Sequence, residues 1–144
     1  MQNILYILLF FSCAAWGQIK EKTTTTLQNV DWKLVFIFDN QTKQKTVLDN
    51  LCKSTLRFNT DSTYRGRGCC NSAFSFTKNY SLKNQNGLSM TLDGQTKVGC
   101  GRERNNLDDL IFNSWANAIK YSIKEDTLVI YSNNNHDLFY VKSK

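Results

Sequence analysis

The stretch Gly66-Arg67-Gly68-Cys69-Cys70-Asn71 holds two of the five cysteines and decides how the chain is organised. Neighbouring residues on a β-strand point to opposite faces of the sheet. If Cys69 and Cys70 lie on a strand, they therefore bond to two different partners, and the candidates are Cys52 and Cys100. We predict the disulfides Cys70–Cys100 and Cys52–Cys69, and the swapped pairing stays open. Each bond would contribute ~3 kcal/mol by the loop-entropy estimate.

The same stretch carries two alternating glycines, Gly66 and Gly68. Glycine inside a strand pattern marks a bulge or a close backbone approach. The alternative, a phosphate-binding loop, requires a following Gly-Lys-Ser/Thr signature and a helix, and the sequence has neither here. We interpret Arg65 and Arg67 as the solvated face of a strand.

The composition indicates one domain without a nucleic-acid partner. A length of 144 residues suits a single domain, and the net charge of +6 is compatible with anionic partners. However, the lysines are spread from Lys20 to Lys144 and form no basic block with interleaved aromatic residues. We therefore expect no nucleic-acid binding.

The front of the chain resembles an export signal. The apolar run Ile4–Phe11 is too short to span a bilayer, and Ala15-Trp16-Gly17 suits cleavage before Gln18, so we predict a signal peptide over residues 1–17. The alternative is a bacterial lipoprotein with Cys13 as the lipidated residue, which is the only route to a membrane. Either way four cysteines remain, and an even set in an exported domain favours disulfides. We expect a periplasmic, outer-membrane-associated or secreted protein.

The remaining sequence predicts a fold that is α+β and mostly β. Residues 18–28 are interpreted as a linker or lead-in, and residues 29–144 as the domain. Short alternating segments, among them Trp32–Phe38 and a hairpin that delivers the cysteine pair, predict an antiparallel meander that forms a curled sheet or partly open barrel. One amphipathic helix, Arg104–Lys120, is inserted before the last two strands. Its apolar stripe consists of Leu107, Leu110, Ile111, Trp115, Ala118 and Ile119.

These motifs, in this order, resemble the META domain family, which includes HslJ-like proteins of the bacterial envelope. The matching residues are Trp32 and Leu34 in Trp-x-Leu, Gly68, Cys70 and Asn71 in a Gly-Cys-Asn with one extra residue, Thr96 and Cys100 in Thr-x-x-x-Cys, and the helix Leu107–Ile119 with the ending Tyr121–Val141.

The resemblance implies a small β-rich domain of the envelope or of secreted proteins, associated with heat shock, antibiotic resistance and virulence-linked secretion. Within it, Cys52 and Cys69 look like an extra pair, which supports joining them. Family members often carry an acidic residue at the start of this helix, and the resemblance assigns that position to Glu103 or Asp108. The family supplies no established catalytic residues, so we expect a protein that is not an enzyme and has no cofactor.

Three functional hypotheses follow. The first is a non-enzymatic domain that binds a protein or small ligand, or supports envelope integrity and the stress response. The second is a small enzyme, in which a thiolate pairs with the single histidine, His136, or carboxylates from Glu103, Asp108 and Asp109 hydrolyse a substrate. We interpret His136 as an exposed loop residue, and the acidic residues as favourable charges at a helix N-terminus. The third is a zinc site of four cysteines, which lacks the usual Cys-x₂-Cys spacing.

Overall fold

The computed structural model describes residues 26–48, 52–74, 80–83 and 86–144. Within these ranges the chain forms eleven β-strands and one α-helix. In chain order they are β1 (Asp31–Asp39), β2 (Lys45–Val47), β3 (Thr55–Phe58), β4 (Tyr64–Arg67), β5 (Ser72–Phe74), β6 (Tyr80–Lys83), β7 (Gly87–Met90), β8 (Gly94–Gln95), α1 (Arg102–Ala116), β9 (Ala118–Lys124), β10 (Thr127–Ser132) and β11 (His136–Lys142). The signal peptide predicted over residues 1–17, with Cys13, lies outside these ranges.

The strands form one antiparallel sheet with the order β6-β7-β9-β10-β11-β1-β3-β4-β5-β8, and β2 pairs beside β1. The last strand, β11, pairs along the whole first strand, from Lys142 opposite Trp32 to His136 opposite Asp39. The sheet curls as a half-barrel around α1, which contacts β7, β10 and β11. The predicted fold class, mostly β with a curled antiparallel sheet and one helix, is confirmed.

The core fills the concave side of the sheet. Trp32, Leu34 and Ile37 on β1 are each no more than 1% exposed, and they pack with the inward residues of the neighbouring strands. Trp115 from the helix closes this core and donates its indole N–H to the Tyr140 hydroxyl at 2.7 Å. Complete burial raises the pKa of Tyr140 well above its ordinary value. The helix is therefore attached to the sheet by a buried polar contact as well as by apolar packing.

The helix is shorter than the sequence suggests. It begins at Arg102 and ends at Ala116, so the prediction that it continues to Lys120 is wrong. The chain leaves the helix at Asn117, and Lys120 already pairs with Tyr131 in the sheet. Three strands, rather than two, therefore follow the helix. Ile119, predicted as core, is 45% exposed.

Two further boundaries differ from the predictions. Cys69 and Cys70 lie in a bend between β4 and β5, so the premise that they sit on a strand is wrong. Leu27, within the predicted linker, is buried in the core, and Gln28 bridges to Phe58. Contacts with the domain thus begin before Asn29, the predicted first residue.

Candidate functional site

Four consecutive motif residues, Gly68 to Asn71, meet at one buried carboxylate, that of Asp108 on the inner face of α1. Asp108 is 2% exposed. Its Oδ1 accepts hydrogen bonds from the backbone N–H groups of Cys69 at 2.5 Å and Cys70 at 3.2 Å. Its Oδ2 accepts two more from Asn71, one from the backbone N–H at 2.7 Å and one from the side-chain amide at 2.9 Å. One side chain therefore holds three consecutive backbone N–H groups.

Gly68 makes this arrangement sterically allowed. A Cβ atom at position 68 would overlap the Asp108 carboxylate and touch the Phe112 ring. Gly66, two residues earlier, has the same relation to the Trp115 ring. The alternating glycines are thus explained by close approach of the helix, as expected for glycine in a strand pattern.

Asn71 extends the cluster to the loop that carries Cys100. Its side-chain oxygen accepts hydrogen bonds from the Val98 backbone N–H at 2.6 Å and from the Thr96 hydroxyl at 3.2 Å. The Thr96 hydroxyl in turn accepts a hydrogen bond from the Ser72 backbone N–H at 3.0 Å. Asn71 therefore connects the cysteine bend, the loop after β8 and the helix. We call Gly68, Cys69, Cys70, Asn71, Thr96 and Asp108 the carboxylate hub.

Both predicted disulfides are present in the structure. Cys69 bonds to Cys52 and Cys70 bonds to Cys100, with Cα–Cα separations of 4.3 Å and 6.1 Å. Cys69 is buried and Cys70 is partly exposed, so the two adjacent side chains diverge although neither lies on a strand. The four sulfurs are therefore occupied by covalent bonds. Within the described ranges, no three His, Cys, Asp or Glu side chains group together as metal ligands do.

A polar cleft of about 400 Å³ lies beside the hub. The side chains that border it include Lys97, Asn105, Asp109 and Phe112. Asp109 and Lys97 are exposed, whereas Asp108 turns both of its oxygens toward the hub. The cleft therefore offers contact surface for a ligand, and its buried carboxylate is already saturated with hydrogen-bond donors.

The interpretation of His136 as an exposed loop residue is wrong. It is the first residue of β11, not part of an exposed loop, and its side chain is 27% exposed. One ring nitrogen lies 2.9 Å from the Asn134 carbonyl oxygen, and the other lies 3.8 Å from Asp39 Oδ2.

Asp39, the acidic neighbour of His136, caps its own turn. Hydrogen bonds from the Thr42 side chain and backbone, and then from the Gln41 backbone, lower its pKa, and nearby His136 lowers it further. The described cysteine sulfurs are all disulfide-bonded, so the thiolate that a Cys-His pair with His136 would need is not available among them.

Of the other motif residues, Trp32 and Leu34 lie in the core on β1, away from the hub's hydrogen bonds. The Trp32 indole N–H donates to the Leu27 carbonyl oxygen at 3.0 Å. Asp108, interpreted from the sequence as a favourable charge at the helix N-terminus, instead holds the cysteine bend. One signal was available, because Asp108 precedes Ile111 and Trp115 by three and seven residues and so shares their buried stripe. Glu103, the other candidate, is exposed in the first turn.

Together, the curled sheet, the helix packed inside it and the two disulfides define a small disulfide-bonded β domain. The META domain model matches residues 25–144, and the chain belongs to this family. No curated protein sequence matches the chain.

Solved structures share the fold at low identity. An NMR structure of a protein from Burkholderia xenovorans is 18% identical with a TM-score of 0.67, and the match covers 82% of this chain and 84% of that one. A crystal structure of a DUF4847 family protein from Bacteroides vulgatus ATCC 8482 is 11% identical with a TM-score of 0.54, covering 82% and 95% of the two chains. These likenesses concern the fold alone.

Proposed function

We propose that this META domain is exported and acts in the cell envelope as a non-enzymatic binding domain that supports envelope integrity. The observation that carries the proposal is the saturation of the hub. The Asp108 carboxylate accepts four hydrogen bonds, and the four cysteines beside it are paired as disulfides. Carboxylate and thiol groups can act in acid–base or nucleophilic catalysis, but here they stabilise the fold through hydrogen bonds and disulfides.

Export is supported by the chemistry of the cysteines and by the sequence before the domain. Disulfides persist in oxidising compartments such as the periplasm and the extracellular space. The apolar run Ile4–Phe11 precedes a cleavage-like pattern at Ala15–Gly17. Within the part of the chain that the structure describes, no helix is both long and apolar enough to cross a membrane. In a variant of this proposal, the domain is anchored through a lipid on Cys13. The mass measurement below distinguishes this lipidated form from a chain cleaved before Gln18.

The first test is the intact mass of the full chain recovered from its native host, with and without reduction and alkylation. We expect a mass that begins at Gln18 and gains four alkyl groups only after reduction. A lipid-sized increment on a chain that begins at Cys13 would place the same domain on a membrane surface. An unprocessed chain with free thiols in the cytoplasm would contradict export.

The second test separates binding from catalysis. A strain that lacks the gene is complemented with wild-type protein, with His136→Ala or with Asp109→Asn, and its sensitivity to detergent is measured. Both residues carry side chains suited to proton transfer, and neither belongs to the hub. Full complementation by both variants is expected of a binding domain. Failure of His136→Ala, with normal protein level and melting temperature, would support the enzyme hypothesis.

A further inference from the structure

The outer face of the sheet across β3, β4 and β5 carries a group of arginines. The inward residues of these strands, among them Leu56, Tyr64 and Ala73, are each 1% exposed. By alternation, the intervening residues point outward. The outward set, together with Asp31 on β1, is Thr55, Arg57, Arg65, Arg67, Ser72 and Phe74. A shallow groove of about 260 Å³ runs across these residues. We call it the arginine groove.

The charges in the arginine groove are not balanced. Arg57 and Arg65 are directly opposite each other in the β3–β4 pair, and Arg67 lies two residues along on the same face. Like charges at directly opposed positions destabilise a sheet. Asp31 Oδ2 lies 2.9 Å from Arg57 Nη1 and compensates one of the three arginine charges. Arg65 and Arg67 are exposed and form no ion pair or hydrogen bond with the residues that the structure describes.

The dimensions of the groove fit one compact anion. Residues two apart on a strand are separated by about 7 Å, and directly opposed residues by about 5 Å, so the three long arginine side chains start close enough together to reach one anion. A guanidinium group presents a planar fork of donors that matches phosphate oxygens. A phosphate monoester carries a charge of about −2 near neutral pH, which equals the two uncompensated arginine charges.

We propose that the arginine groove binds the phosphoryl group of a small phosphorylated ligand, through Arg65 and Arg67 with Arg57 beside them. The remainder of the ligand lies toward Phe74 on β5. This inference rests on the proposed binding function and names its ligand class. The phosphoryl group belongs either to a soluble phosphomonoester or to a lipid headgroup, and the experiment distinguishes these two sources.

The test titrates the oxidised full chain with glycerol 3-phosphate and follows backbone amide signals by NMR, with glycerol as the uncharged probe. We expect shifts at Thr55–Arg57, Tyr64–Arg67 and Ser72–Phe74 with glycerol 3-phosphate only. The variant Arg65→Gln/Arg67→Gln should raise the dissociation constant by about tenfold or more, because charged hydrogen bonds are lost. A parallel arm measures sedimentation with vesicles of phosphatidylcholine alone or with added phosphatidic acid, whose headgroup is a phosphate monoester like that of glycerol 3-phosphate.

The matched control is Arg102→Gln/Arg104→Gln, which removes two arginines at the same spacing from the start of α1. It should bind like the wild type. Binding of vesicles but not of glycerol 3-phosphate, with the same arginine dependence, assigns the phosphoryl group to a lipid headgroup. Equal binding by the Arg65/Arg67 variant, or binding of neither probe, overturns the proposal. These outcomes do not affect the mass measurement, so failure of the groove and failure of export are distinguishable.

Discussion

The substitution Asp108→Asn tests whether the buried carboxylate holds the cysteine bend. Each Asp108 oxygen accepts two hydrogen bonds, from Cys69 and Cys70 on one side and from Asn71 on the other. Asparagine keeps the shape but has a single oxygen, so in either orientation its NH₂ group faces two N–H donors. Each buried donor left without an acceptor costs about 1–3 kcal/mol, so the free energy of unfolding should fall by about 2–6 kcal/mol. That is a large part of the ~5–15 kcal/mol typical of a domain.

The assay is equilibrium urea unfolding of the oxidised chain, followed by the fluorescence of the buried tryptophans Trp32 and Trp115. The control is Asp109→Asn, which removes the same charge from the next residue of α1, where the side chain is exposed. We expect this control to stay within about 0.5 kcal/mol of the wild type. If Asp108→Asn unfolds at the same urea concentration as Asp109→Asn, with both disulfides intact by mass, the hub does not stabilise the fold as argued.

Three further predictions concern the rest of the fold. Replacing Cys70 and Cys100 together by serine should lower the free energy of unfolding by about 3–4 kcal/mol, since the bond closes a loop with a sequence separation of 30; an unchanged urea midpoint would contradict this. Tyr140→Phe should cost about 1–3 kcal/mol because the buried Trp115 N–H loses its acceptor, and equal melting temperatures would refute it. The pKa of Asp39 is lowered in the folded protein, so its contribution to stability is full above the ordinary aspartate pKa of about 4 and is lost as pH falls through the lower folded value. The free energies of unfolding of wild type and Asp39→Asn should therefore differ at pH 7 and converge in acid.

Much of the sheet could be predicted from the sequence because its strands are locally encoded. The alternation in Trp32–Phe38 predicts the buried positions Trp32 and Leu34, but a register shift between Leu34 and Phe36 then brings Ile37 into the core in place of Phe36. The polar turn between β3 and β4 gives the hairpin. The disulfides were predicted from a wrong local structure, since Cys69 and Cys70 lie in a bend. The predicted pairing is nevertheless present, because the two adjacent side chains still diverge, with Cys69 buried and Cys70 partly exposed.

The hub and the end of the helix could not be predicted in the same way. The donors that bind Asp108 lie 37 to 39 residues earlier in the chain, so nothing adjacent to Asp108 specifies its burial. The predicted helix extended to Lys120 because Ala118 and Ile119 continue the helical spacing. The structure instead pairs this segment with β10 in a hairpin that turns at Glu125-Asp126, and this sheet pairing overrides the helical pattern.

Two features of this domain depart from the usual rules for a stable fold: a buried carboxylate and a pair of directly opposed arginines. The described residues compensate the first but not the second, and the second marks the expected binding surface. The carboxylate of Asp108 is buried, but four donors within the fold compensate it. Arg65 stands opposite Arg57 with no acidic partner of its own among the described residues. A ligand that supplies the missing negative charge should therefore stabilise the folded protein by mass action. Conversely, Arg65→Gln should raise the free energy of unfolding by about 0.2–1 kcal/mol without ligand, by removing a like-charge pair. A lower free energy of unfolding for Arg65→Gln, measured by urea unfolding at low salt, would show that Arg65 stabilises the fold. That result would remove the electrostatic basis for a phosphoryl site there.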